Sequence, residues 1–364
     1  CYCPSCTLWQ LDYIGDPNVI FPPEYPYQTG LTNMLVRNFR ALADTVATRY
    51  HLTSSDLVID IGSNDGTLLK GFKDKGTRVL GIEPTNVAEI ANSRGIETIH
   101  AFFTPSEAKK ILASHGPAKI ITATNVFAHI LNVPELMESI RILLADDGVF
   151  ISESQYLGDI VEKLELDTIY HEHLRFYSAT SLKKLFETSG CTMVDAERIT
   201  AAGGSIRAYA MKGNQNTGES VRALLAAEER VGLNTEAVRK QFEQRALVAR
   251  RNLLSLLLDL KKQGKRIVGL GSAGRSHSLL NFMKIDHTII DYNCEKSGSP
   301  KIGLFTPGTH IPIVDEKKLF DEQPEYLLVL SWHIGDELMK KVRELGYRGT
   351  FIVPLPEPRM VKEV

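Results

Sequence analysis

The 364-residue chain has no run approaching the ~20 consecutive apolar residues that cross a bilayer, so no membrane-spanning helix is expected. Nothing at its start reads as a basic region followed by an apolar segment, so a secretory leader is not expected and the cytoplasm is the expected compartment. Position 1 is Cys, not Met, and the natural start is expected upstream. Cysteine is scarce: of five, three fall within the first six residues, which is no disulfide framework. Charge of one sign is also lacking. A formal net charge of −2 gives no general pull toward nucleic acid or an anionic membrane, and neither partner is expected. The sequence carries no signal of oligomeric state, no solenoid repeat and no low-complexity tract.

What the chain does have is strands alternating with helices. The apolar runs Leu57–Ile61, Arg78–Ile82, Ile120–Thr124 and Gly148–Ser152 read as buried parallel strands. Helical stretches follow at Thr67–Lys75, Asn86–Arg94, Ser106–Ser114 and Pro134–Leu144. Four such units in sequence predict a doubly wound α/β sheet. A helix at Ser181–Ser189, then strands at Cys191–Ile199 and Ala208–Lys212, suit an antiparallel end to that sheet. Ser220–Lys262 reads as a helical bridge, and a second α/β series follows, with strands at Arg266–Leu270, Thr288–Asp291, Tyr326–Leu330 and Thr350–Val353. The expected divisions are an N-terminal segment (1–50), a first α/β domain (51–213), a helical linker (214–262) and a C-terminal Rossmann-like domain (263–364).

The first glycine loop runs Asp60-Ile-Gly62-Ser-Asn64-Asp-Gly66, directly off a strand and into a helix. Gly62 permits a tight turn and close approach of a ligand, and Asp60 can face the ammonium group of a methionine moiety. The spacing Asp-x-Gly-x-x-x-Gly differs from that of a dinucleotide fold. Glu83 closes the next strand, placed to accept from ribose hydroxyls. Phe102 or Phe103 is placed to pack on adenine, and Asn125 ends the strand under which the cofactor would lie. These features in this order predict S-adenosylmethionine (SAM) binding by a class I SAM methyltransferase fold.

After the Gly148–Ser152 strand comes an insertion from Glu153 through Tyr156 to Tyr170-His171-Glu172-His173. In this fold it lies above the carboxyl ends of the strands, where substrate meets the methyl group. Histidine is the natural general base near neutral pH, and an adjacent carboxylate can hold or stabilise it. His129 would approach from below. A His-x-His metal pair is the competing reading, but no third ligand stands at a characteristic spacing.

In these motifs the sequence resembles the sugar C-methyltransferase family. The resemblance runs through Cys3-Pro-Ser-Cys6, Tyr25-Pro-Tyr27, Asp60–Gly66, Asn125-Val-Phe-Ala-His129, Gln155–Asp159, Tyr170–His173, Ser178–Ser181, Gly203-Gly-Ser-Ile-Arg207 and Thr306–Ile313. It implies a nucleotide-diphosphate 4-keto-6-deoxysugar as substrate, TDP- or GDP-linked, methylated on carbon 3. It further implies that His173 removes the proton beside the ketone. Tyr170, Glu172, His129 and Tyr25 would surround the reacting sugar, with Tyr170 or a protonated His129 as oxyanion donor. Tyr27, Tyr156 and Arg207 are expected among the substrate contacts. The family's N-terminal zinc module uses two Cys-x-x-Cys pairs; only Cys3 and Cys6 stand here, an incomplete site for structural zinc. Ala202 replaces the His that many relatives carry before Gly-Gly.

A second glycine motif, Gly269-Leu-Gly271-Ser-Ala-Gly274-Arg275-Ser276, follows a strand and precedes a helix, with Asp291 expected at the end of the next strand. By itself it reads as an NAD(P) site, and an NAD(P)-dependent oxidoreductase is one alternative function; a SAM-dependent O-methyltransferase is another. The preferred reading puts the sugar's diphosphate at Gly271, Arg275 and Ser276, where free N–H groups and the helix dipole favour anions.

Overall fold

Leu57–Ile61 (β1) is buried at every position, as a β-branched run at the centre of a parallel sheet must be. The computed structural model describes residues 1–22, 28–31 and 33–363. Parallel to β1 lie Arg78–Glu83 (β2), Thr98–His100 (β3), Ala118–Thr124 (β4) and Leu144–Gln155 (β5). Cys191–Ile199 (β6) and Ser205–Lys212 (β7) form a hairpin, and β7 enters antiparallel beside β5. The sheet order is β3-β2-β1-β4-β5-β7-β6. The strand β3 is an addition to the sequence reading; at three residues it is too short to show periodicity.

Two apolar layers cover this sheet. One gathers Ile59, Leu80, Phe127, Ile140, Phe150, Tyr177 and Phe186. The other packs Phe39, Leu42 and Val46, from helix Asn33–Arg49, on Val58, Leu69, Phe72 and Tyr209. Glu228, 2% exposed on helix Glu219–Arg230, accepts the N–H groups of Ala179 and Thr180, which open helix Ala179–Thr188. A carboxylate there meets unpaired N–H groups and the positive end of the helix dipole. Near the N-terminus, the two-residue strand Trp9–Gln10 pairs antiparallel with Arg175–Phe176.

These elements make one compact unit, residues 1–157 and 171–233; residues 158–170 and 234–364 make a second. The second holds helix Glu236–Lys262 and a six-stranded sheet. Its strands are Ile267–Leu270 (β8), Asn293–Glu295 (β9), Ile313–Asp315 (β10), Tyr326–Val329 (β11), Thr350–Val353 (β12) and Arg359–Val361 (β13), in the order β10-β9-β8-β11-β12-β13. All neighbours are parallel except β13, so this unit is Rossmann-like as the sequence predicts. The structure differs from the sequence reading at several points: β10 and β13 are additions, and the strand expected at Thr288–Asp291 begins at Asn293. The bridge is two helices, broken between Arg230 and Glu236, and residues 158–170 group with the second unit. Among the described residues no helix is long and apolar enough to cross a membrane.

Candidate active site

Strands β1 and β4 are neighbours whose own further neighbours, β2 and β5, lie on opposite sides. Loops leaving their carboxyl ends therefore diverge and open a crevice. Gly62, at φ 66°, turns the chain out of β1, and a Cβ there would stand 2.5 Å from Val126 Cγ2 on the loop leaving β4. Asp60 is 2% exposed and accepts from Thr122 Oγ1 at 2.6 Å. Burial pushes its carboxyl up to about 7; the Thr122 bond opposes this and the nearby Glu83 charge adds to it. A cation in the crevice would hold it ionised.

The sign of the resulting pH dependence is fixed. Asp60 has a folded-state pKa above the ordinary value of about 3.9, so its stabilising contribution is complete at acid pH. That contribution is lost as pH rises from about 4 through about 7. A cationic ligand has the opposite preference. SAM affinity is expected to rise between about pH 6 and pH 8, and Asp60→Asn is expected to flatten that rise. Titration calorimetry across this range checks it, and a pH-independent wild-type affinity would contradict it.

Glu83 braces the loop. Its Oε2 accepts the Asn64 N–H at 3.0 Å, and its Oε1 accepts the N–H and hydroxyl of Thr85 at 3.0 and 2.7 Å. The two Thr85 bonds fill Oε1, while Oε2 keeps a second acceptor direction, so this bracing is compatible with one ribose contact. Asn64 and Asp65 reach the N-terminal segment, a role absent from the sequence reading. Asn64 Oδ1 takes the Thr29 N–H at 2.8 Å, and Asp65 takes the Gly30 N–H at 3.0 Å and the Arg94 guanidinium at 2.9 Å. Asp65 was visible inside the glycine motif, but its partners are distant in sequence. Phe103 packs half-buried against the core while Phe102 is exposed, and Asn125, at φ 56°, donates its N–H to the Glu153 carbonyl at 2.8 Å.

The loop leaving β4 also carries His129, whose ring centroid lies 4.9 Å from that of His173. The His129 Nδ1 stands 2.7 Å from the Glu172 carbonyl; a carbonyl only accepts, so that nitrogen bears the proton. Burial pulls the His129 pKa below the ordinary imidazole value, although the Glu172 and Asn125 carbonyls favour the charged form. Burial thus works against the protonated His129 that was one of the two expected oxyanion donors, and favours a neutral ring. Glu172 meets His129 through its backbone carbonyl; its half-buried carboxyl is raised by burial, with His171 opposing. The edge of the Phe21 ring packs against His129. Leu174, next to His173, donates its N–H to the Ala128 carbonyl at 3.0 Å and accepts from Leu11 at 3.0 Å. Tyr170 belongs to the second unit, and Tyr25 and Tyr27 lie outside the described residues.

Several residues expected among the substrate contacts are engaged in internal hydrogen bonds. Arg207 donates twice to Glu153, at 2.9 and 2.7 Å, to Glu197 at 2.9 Å and to Asn38 at 3.1 Å. Arg207→Met would strand the Glu153 carboxylate, whose side chain is 0% exposed, and is expected to cost about 3–5 kcal/mol in urea unfolding. A change within about 0.5 kcal/mol would contradict this role. Tyr156, 4% exposed, donates its hydroxyl to Glu228 at 2.9 Å. Within the second unit, Arg275 pairs with Glu165 and Asp167 at 3.0 and 3.1 Å, so the cation meant for a diphosphate is already engaged by carboxylates. Ser276 is fully buried, and Gly271, at φ 90°, turns the chain beside Ser331. Asp291 is corrected too. It precedes β9 and bonds Lys261 and Arg266 at 3.2 and 3.1 Å, at the opposite end of the strands from the Gly271 turn.

Cys3 and Cys6 face each other: hydrogen bonds from the Cys6 and Ser5 backbone lower the Cys3 pKa, and burial raises that of Cys6. Two thiols do not complete a tetrahedral zinc site, and among the described residues no group of three or more His, Cys, Asp or Glu could hold a metal.

A seven-stranded sheet of this order, with a glycine loop leaving its central strand and acids ending the first two strands, defines a class I SAM-dependent methyltransferase. Residues 34–196 match the family described as a methyltransferase domain, and residues 200–356 match a C-methyltransferase C-terminal domain. The chain is 34% identical to the C-methyltransferase NovU of Streptomyces niveus over 363 residues, which cover 99% of this chain and 86% of that protein. It therefore belongs to the C-methyltransferase family and is a SAM-dependent C-methyltransferase. Among solved structures it is similar to the CcbJ methyltransferase of Streptomyces caelestis, with 16% identity, a TM-score of 0.38 and coverage of 49% of this chain and 90% of that one. It is also similar to the SAH-bound magnesium protoporphyrin IX methyltransferase of Synechocystis PCC 6803, with 16% identity, a TM-score of 0.37 and coverage of 50% and 84%.

Proposed function

We propose that the substrate is a nucleotide-diphosphate 4-keto-6-deoxysugar, TDP- or GDP-linked, methylated on carbon 3 in the cytoplasm. His173 takes the proton from the carbon beside the ketone. The C–H electron pair becomes an enolate, stabilised by donors around the ketone oxygen. SAM, when bound, supplies a methyl on a sulfonium, which the enolate carbon takes as the carbon–sulfur bond breaks. Asp60 faces the cofactor's ammonium group, Glu83 its ribose, Phe103 its adenine, and Gly62, Asn64, Gly66 and Asn125 shape its bed. Tyr25, Tyr170 and Glu172 contact the reacting sugar, with Tyr27 beside them. A neutral His129 orients the sugar or His173 instead of acting as a cationic donor.

The observation carrying this reading is the paired imidazoles of His129 and His173, one of them on the loop whose Val126 packs on the SAM-binding glycine. Deprotonation next to a ketone needs a positioned base of that strength, whereas transfer to an oxygen or nitrogen that already carries a lone pair needs mainly alignment. The oxidoreductase alternative loses support with Asp291, which is bound to Lys261 and Arg266.

The test is incubation with SAM and a panel of 4-keto-6-deoxysugar nucleotides, read by mass spectrometry, with NAD(P) as a parallel arm. One added methyl and a SAM-raised melting temperature are expected. Turnover with NAD(P), or methylation confined to sugars lacking the ketone, would overturn the reading.

A further inference from the structure

We propose that the second glycine motif serves as a receptor for the chain's own carboxylates, and that the Arg275–Asp167–Trp332 cluster is a positioning device for the His171–His173 tripeptide. The proposal rests on the reading of His173 as the base.

Residues 158–170 fold with the second unit and end directly before His171. Arg275, in the first turn of helix Gly274–Met283, grips this segment from its Nε and Nη2 through both oxygens of Asp167, each at 3.1 Å, and through Glu165 at 3.0 Å. The Asp167 side chain is 0% exposed and that of Glu165 1%. The indole N–H of Trp332, just past β11, donates to the same Asp167 oxygen at 3.1 Å. A planar guanidinium meeting a carboxylate through two bonds fixes orientation as well as distance.

Three further features over-determine the segment. Arg245, on helix Glu236–Lys262, caps the carbonyls of Val161 and Glu162 at 2.7 and 2.9 Å. Leu164 is buried at φ 59°, a left-handed conformation that a leucine keeps only where its surroundings enforce it. The Tyr170 ring lies over Gly274, within 3.7 Å of where a Cβ would stand. The backbone is thus held from Val161 to Tyr170 within one unit. His173 follows three residues later, and Leu174 is fixed at once by backbone bonds in the other unit. Each flank of the tripeptide is thus held within its own unit, and His173 follows the anchored segment by only three residues. A buried ion pair often adds little net stability over an apolar equivalent, whereas its geometric specificity suits positioning.

The experiment uses the full chain with Asp167→Asn and the milder Trp332→Phe, which removes only one donor. Hydrogen–deuterium exchange of peptides spanning 164–175 is measured beside SAM affinity, kcat and KM. Exchange over 168–173 is expected to quicken in both variants, with SAM affinity within about twofold of wild type and kcat lowered about tenfold or more in Asp167→Asn. Wild-type exchange in both variants would overturn the proposal, as would faster exchange with unchanged kcat. Loss of SAM binding in step with turnover in both variants would also overturn it, because the cluster would then be a general stability element. If the wild type methylates no keto-sugar nucleotide, the proposed substrate fails instead, and the exchange measurement still decides whether the cluster anchors the tripeptide.

Discussion

His173→Ala is expected to lower turnover about 10²–10⁴-fold while leaving SAM affinity within a few-fold of wild type. The loss is large because the ring paired with His173 is a poor replacement for it. His129, the paired ring at 4.9 Å, carries its Nδ1 proton against the Glu172 carbonyl and is shifted by burial toward neutrality. It can orient but is a poor substitute base, since burial weakens its affinity for a proton. SAM affinity is spared because His173 lies outside the loop from Asp60 to Gly66 and the acid of β2. Turnover by steady-state assay and affinity by calorimetry read the two effects separately. A variant with more than about a tenth of wild-type turnover would remove His173 from the role of base.

Gly62→Ala is expected to weaken SAM binding at least about tenfold, or about 1.4 kcal/mol. Two costs combine. At φ 66° any residue with a Cβ pays roughly 1–2 kcal/mol for the left-handed conformation. The added methyl would also stand 2.5 Å from Val126 Cγ2, so the loop leaving β4 must shift. That loop carries both Asn125 and His129, so the same substitution is expected to lower kcat. Val126→Ala relieves only the clash, and the double variant is therefore expected to recover part of the loss. Full SAM affinity in Gly62→Ala alone would contradict the geometry.

The sheet and the glycine loop were legible because continuous apolar runs bounded by glycine turns encode buried parallel strands locally. The strand β3 was not, since Thr98–His100 is too short for a period. In the second unit the helical and glycine signals held, but the strand placed at Thr288–Asp291 begins only at Asn293. That slip moved Asp291 from the carboxyl end of the sheet to the other end, where Arg266 and Lys261 bind it.

Site residues divide on the same principle. His129 and His173 were found as types suited to the chemistry, and the fold brings their rings together. Arg207, Arg275 and Tyr156 were read as contacts because sequence shows a donor but not its partner. Their partners Glu153, Asp167 and Glu228 lie 54, 108 and 72 positions away. The linkage of Thr29 and Gly30 to Asn64 and Asp65 was hidden for the same reason.

The most direct test of the central claim is carbon NMR of the product formed from SAM labelled with ¹³C at its methyl. A methyl bonded to the ring carbon beside the ketone, visible as carbon–carbon coupling in uniformly labelled sugar, is the predicted outcome. A label whose shift marks it as bound to oxygen, with no such coupling, would contradict the account.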